Sequence, residues 1–255
     1  MNLISGFADI SFGQLLLVAC VALFASVIGG LAGYGTGALM PLVLVPLIGA
    51  EPVVPIIAIS SIFTNLSRTA AYLRYVDRRR ALIVVLAAAC STALGAYGYT
   101  RLTNAGAALV IGTMLISSVP LRRLLKRRDI RIGDAGLGAS AVGYGVVVGG
   151  TSGSGVILLS LLMAAGLEGA AVIATDAVIS VTTSVIKISV FGLSGVVTAQ
   201  VLAFALLIGA IALPGAFLAK VFVERMPVHI HTAILDVAVM VGGVVMISAA
   251  VRHLG

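Results

Sequence analysis

Thr36, Ser152 and Ser154 lie inside a glycine pattern that occurs twice in the chain. The first copy is Val27-Ile28-Gly29-Gly30-Leu31-Ala32-Gly33-Tyr34-Gly35, and the second is Val147-Val148-Gly149-Gly150-Thr151-Ser152-Gly153-Ser154-Gly155. Four glycines hold matching places 120 residues apart, in the order G-G-x-x-G-x-G. Glycine permits sharp turns and close approach of a ligand to backbone. A helix that starts after such a break presents unpaired N–H groups and the positive end of its dipole, which is a setting for a small anion. Gly33, Gly35, Gly153 and Gly155 would supply the backbone, and Thr36, Ser152 and Ser154 the hydroxyls. The competing reading of each motif is close helix packing through small residues, which Gly29-x-x-x-Gly33 fits.

Ionisable side chains inside apolar segments form the second set, because such residues are costly in a membrane and tend to be functional. Arg68 sits near Thr64, Asn65, Ser67 and Thr69; Asp176 and Lys187 flank Ser180, Thr182, Thr183 and Ser184. Eleven residues separate Asp176 from Lys187, so a helix puts them on one face about three turns apart. Arg68, Asn65 and Lys187 are candidates for attracting an anion, with Asp176 as counter-ion or proton carrier in coupling. The bland alternatives are snorkelling of both cations to a cytoplasmic surface and a capping role for Asp176. Asp236, Glu51 and Glu168 read as helix-end carboxylates. Gly150-Thr151-Ser152-Gly153 matches the G-x-S-G serine motif of intramembrane proteases. A serine nucleophile needs a base within reach, and His229, His231 and His253 all sit at or beyond segment ends.

The elements that carry these residues are membrane helices. The chain has 255 residues, 60% hydrophobic and 10% charged, with a mean hydropathy of +1.20; no soluble domain needs so apolar a surface. Spans of about 20 apolar residues are expected at 13–32, 52–73, 81–99, 104–121, 134–150, 169–191, 196–221 and 231–251. Short pieces follow each glycine motif at 38–50 and 154–166. They are too short to cross unaided and read as half-helices or re-entrant segments buried in protein. The expected fold is an all-α polytopic membrane protein of about eight transmembrane helices plus two half-helices, built from two homologous repeats, 1–126 and 127–255. Gly95 and Gly215, also 120 apart, fit the duplication. If the short pieces do not cross, four spans per half give parallel repeats; if they do, five give inverted ones. Eight full spans are favoured.

The net charge is +7, and ten of the sixteen basic residues fall in two clusters, Arg74 to Arg80 and Arg122 to Arg131. That is the positive-inside pattern of cytoplasmic loops rather than a nucleic-acid patch. The first residues lack the basic region and cleavage site of a signal peptide, so the first span is expected to be retained. Cys20 and Cys90 read as small buried hydrophobes, not a disulfide or metal site. No metal or cofactor is expected. The expected partners are a small anion and the lipid bilayer, and the glycine faces allow a homodimer.

The order Gly29 to Pro46, then Ile59-Ser60-Ser61, then Tyr72-Leu73-Arg74-Tyr75-Val76-Asp77, repeated once over the whole chain, resembles the TauE/SafE family of sulfite exporters, also called the toluene-sulfonate uptake permeases. The resemblance implies a multi-pass inner-membrane secondary transporter of sulfur-containing anions such as sulfite or sulfonates, not an enzyme. The chain departs from the family's usual small polar residue in carrying Asp176 after Thr175. The competing functions are a proton-coupled carrier of another solute working through Asp176, an anion channel, and the intramembrane protease.

Overall fold

A computed structural model describes residues 4–8, 10–32, 35–127, 131–215, 218, 239–248 and 250–251. Gly33, Lys220, Arg225, His229, His231, Asp236, Arg252 and His253 lie outside the described residues. Among the described residues the fold is all helical. Its α-helices are α1 (Phe12–Ala32), α2 (Thr36–Ile48), α3 (Val53–Tyr72), α4 (Arg78–Tyr99), α5 (Asn104–Arg127), α6 (Asp134–Gly150), α7 (Gly155–Ala164), α8 (Ala170–Leu193), α9 (Ala199–Ala212) and α10 (Val239–Ser248). Tight 3₁₀ turns occupy Ile4–Phe7 and Leu73–Tyr75. Five of these segments, those of α1, α3, α4, α5 and α8, are long and apolar enough to cross a bilayer. Polarity is distributed inside out. Leu16, Phe24, Leu82, Leu86, Leu94 and Leu193 are exposed, while Thr64, Asn65, Arg68, Ser152, Asp176 and Lys187 are buried, the arrangement a lipid solvent dictates. The same logic corrects the expectation for the cysteines. Cys20 and Cys90 are free and lie on the exterior, where apolar side chains belong in a membrane.

Both glycine motifs fall at helix breaks, and each turns the chain back on itself. The α6–α7 hairpin closes at one end of the bundle, where the Ile132 N–H donates to the Ala164 carbonyl at 2.9 Å. The start of α4 shares that end: Arg79 pairs with Asp134, and the Asp77 N–H donates to Thr175 Oγ1 at 3.0 Å. Arg74, Arg78, Arg80 and Arg131 are therefore gathered at one basic end. The α1–α2 hairpin closes at the other. There the Tyr99 hydroxyl donates to the Ala50 carbonyl at 2.6 Å, the Ala50 N–H donates to Asn104, Tyr99 packs edge-on against Phe191, and Phe7 against Phe204.

The segments 52–73 and 169–191, expected to be counterparts, run antiparallel as α3 and α8. Arg68 near the end of α3 meets Asp176 near the start of α8, and the two helices cross where Ser61 and Ser184 share a 2.8 Å hydrogen bond. Parallel repeats would run corresponding segments in the same direction, and α3 and α8 run in opposite ones. The α1–α2 and α6–α7 hairpins each bring the chain back toward the end it started from. Close contacts repeat the relation. Gly95 of α4 packs against the backbone of Val146 in α6, and Gly215 packs against Ser26 in α1. Both pairs of positions are related by the 120-residue shift of the glycine motifs. A side chain at either glycine would overlap the neighbouring helix.

Two apolar cores flank a polar layer. One packs α4 against α6 and α7 at the basic end through Val84, Ala88, Leu137, Leu158 and Leu162. The other packs α1, α2, α3, α5 and α9 through Val18, Leu44, Ile56, Ile111 and Phe204.

Candidate functional site

The hairpin tips meet between the two cores. Pro41, inside α2, has no N–H, so the Gly37 carbonyl loses its helical partner. Ser152 Oγ, at the tip of the other hairpin, donates to that carbonyl. Gly153, with φ +83°, stands against Gly37; the left-handed backbone and the close approach both call for glycine. Neither α2 nor α7 carries a side-chain cap at its start. The N–H groups ahead of Ala38 and Ile157, which themselves donate to Gly35 and Ser154, and the positive dipole ends are thus left to whatever occupies the space in front of them.

That space is a cavity of about 100 Å³. A single water needs ~10–15 Å³ by this measure, so the space has room for a small ion. Gly35, Thr36, Gly37, Asn65 and Arg68 line it from the first half; Ser152, Gly153, Ser154, Gly155 and Lys187 line it from the second. Every described member of the substrate-binding set expected from sequence thus faces one cavity; Gly33 lies outside the described residues. Asp176 does not line the cavity and stands behind Arg68.

Arg68 does not snorkel. Its side chain is buried, with Nη2 donating to Asp176 Oδ2 at 2.6 Å and Nη1 to Asn65 Oδ1 at 2.9 Å. Lys187 is 5% exposed and turned inward as well. Because α3 and α8 are antiparallel, the two cations flank the cavity from opposite ends instead of sharing a cytoplasmic boundary. Among the described residues Lys187 has no hydrogen-bond or ion-pair partner. Asp176 is 1% exposed and sits within α8, whose cap position is Gly169, so it is not a capping residue. Its Oδ1 is buried without a hydrogen-bond partner among the described residues.

Several lining residues were missed in the sequence as site residues: Ser26 and Tyr144, and the hydroxyls of Ser61, Thr64, Thr183 and Ser184. Hydroxyls inside apolar spans were a usable signal for all six, Ser26 and Tyr144 arriving from the long arms of the hairpins. No group of three or more metal-ligating side chains occurs among the described residues.

A multi-pass membrane protein with a small, cation-flanked cavity between two hairpin tips belongs to the class of solute transporters. The family model named sulfite exporter TauE/SafE matches residues 18–246, nearly the whole chain. The chain belongs to that family, and its transport role follows from the membership. No curated protein and no solved structure matches it.

Proposed function

We propose that the protein is a secondary transporter of a small sulfur-containing anion, sulfite or a compact sulfonate, in the cytoplasmic (inner) membrane. The observation that carries this reading is Lys187. A buried cation without a counter-charge is strongly unfavourable unless a ligand supplies one, and this ammonium faces an ion-sized cavity. The backbone N–H groups of the two helix starts and the hydroxyls of Thr36, Ser152 and Ser154 would complete the coordination, with Asn65 and Arg68 behind them. The basic end is cytoplasmic by the positive-inside rule.

The halves 1–126 and 127–255 are read as inverted repeats, each with four long helices and one short one, eight and two in total. Antiparallel α3 and α8, and the paired contacts of Gly95 and Gly215, support this. Hairpins entering from opposite faces and meeting at a central site suit alternating access, in which one bundle rocks against the other while the site stays fixed. Ser152 Oγ donates to the Gly37 carbonyl, and the histidines that a serine-protease reading would need lie outside the described residues.

The test is sulfite counterflow in proteoliposomes at equal pH on both sides. Wild-type protein exchanges external labelled sulfite for internal sulfite with saturation, and Lys187→Met abolishes it. Counterflow of Lys187→Met at the wild-type rate would remove the basis of the proposal.

A further inference from the structure

The cavity's two cations are not equivalent. Lys187 has no counter-charge among the described residues, whereas Arg68 is already held by a carboxylate. Arg68 also lines the cavity, so an anion there and Asp176 compete for one guanidinium. We infer that Asp176 is the proton site that couples transport to a proton gradient, and that the transported anion and a proton bind together and cross in the same direction. The inference rests on the anion-transport reading above.

The chemistry is an exchange of partners. With Asp176 ionised, its carboxylate neutralises Arg68, and only the Lys187 charge is offered to the anion. An anion that approaches Arg68 brings a second negative charge next to a buried carboxylate, and two such charges in one site disfavour each other. When Asp176 takes up a proton, carboxylate and H⁺ become carboxylic acid, with no other bond made or broken. Arg68 is then released to pair with the anion through charge-assisted hydrogen bonds. The proton does not have to displace a structural hydrogen bond, because Asp176 Oδ1 has no partner among the described residues. Asn65 Oδ1, 2.9 Å from Arg68 Nη1, keeps the guanidinium in place during the exchange. By linkage, the anion raises the proton affinity of Asp176 by the same factor that the proton raises anion affinity.

The surroundings of Asp176 leave Arg68 as its main charged contact. From α3 it faces Arg68; from α6 the nearest titratable group is the Tyr144 phenol. At the start of α4, Asp77 and Arg80 neutralise each other beside Thr175. The turn after α3 packs on α8 and carries Arg74, stacked on Tyr75. Lys187 lies three turns along the same helix, and α7 brings no titratable side chain. Ligands that bind together are carried together, so the sign of coupling is fixed as symport. Were binding mutually exclusive, the same residues would give exchange in opposite directions.

The experiment uses wild-type and Asp176→Asn protein in proteoliposomes with sulfite as probe. Sulfite speciation across a pH step is the same for both proteins, so their difference is the readout. Wild-type is expected to accumulate sulfite on the proton-downhill side beyond protein-free liposomes. Asp176→Asn is expected to retain counterflow at equal pH and to lose all gradient-driven accumulation. Accumulation by Asp176→Asn equal to wild-type, or wild-type accumulation on the proton-uphill side, overturns the inference. Absence of counterflow in the wild-type protein instead overturns the transport reading itself. A second measurement is independent of the variant's folding. At fixed pH, sulfite added to purified wild-type protein is expected to raise the infrared band of a protonated carboxyl group. No gain in that band with counterflow intact overturns the inference, and Asp176→Glu is expected to keep both the band and the accumulation.

Discussion

At the scale of single residues, the site is built from charges whose stability depends on what they face. Removing one partner of a buried ion pair leaves the other charge uncompensated, at a cost of about 3–5 kcal/mol, whereas an apolar replacement of a costly charge is often neutral or stabilising. Arg68→Ala should therefore lower the melting temperature sharply by stranding Asp176, and adding Asp176→Ala should restore much of the loss. Lys187→Met should act in the opposite sense, raising the melting temperature of the anion-free protein because Lys187 has no counter-charge among the described residues. Ligand that binds only the folded state stabilises it by roughly 2.7 kcal/mol at a hundred times its dissociation constant. Sulfite should thus stabilise wild-type and leave Lys187→Met unmoved. Thermal melts of the detergent-solubilised variants, with and without sulfite, check all three expectations. A Lys187→Met protein less stable than wild-type without anion would argue that the ammonium has a protein partner.

At the scale of elements, the two glycine turns and the helix starts do the positioning. At the basic end, Asp77 caps α4: its carboxylate accepts from the Arg80 N–H at 2.9 Å and from Arg80 Nη1 at 2.6 Å. Desolvation pushes this carboxyl up, but the hydrogen bonds and charge of Arg80 together outweigh it and hold it below its ordinary value. A depressed carboxylate stabilises the fold above its unfolded pKa, about 3.9, and loses that contribution as pH falls through the folded value. Asp77→Ala should cost about 1 kcal/mol at neutral pH, and its melting temperature should converge on wild-type as pH drops below ~4. A gap that stays constant over that range would show that the side chain acts by packing and not by charge. Much of this level was legible in the sequence. The 20-residue ruler and the glycine breaks located α6 at 134–150 and both short helices to within a few residues, because hydropathy and glycine spacing are local properties. Arg68, Lys187 and Asp176 stood out because charges are rare in apolar runs. What was not legible was which charge faces which. The Arg68–Asp176 pair depends on α3 and α8 running antiparallel, and a hydropathy profile carries no direction.

At the scale of the whole molecule, the direction of each half decides how the site can work. Parallel halves place equivalent residues on one side of the membrane; inverted halves place them on opposite sides and give the site one hairpin from each face. The sparse charges outside the basic loops left this open in the sequence, and the antiparallel pairing of α3 with α8 is what supports the proposed inverted reading. Glu51 and Glu168 make the distinction measurable. They occupy equivalent places, each closing a short helix and preceding α3 or α8, and both are exposed. Glu51 lies at the end where Tyr99 and Asn104 bind Ala50. Glu168 lies at the basic end, where Gly166 approaches Arg80. With Cys20 and Cys90 replaced by alanine, Glu51→Cys should react in intact cells with a thiol reagent that cannot cross the membrane. Glu168→Cys should react only after the membrane is opened. Labelling of both from the same side would argue for parallel halves and remove the opposed hairpins on which the proposed alternating access depends.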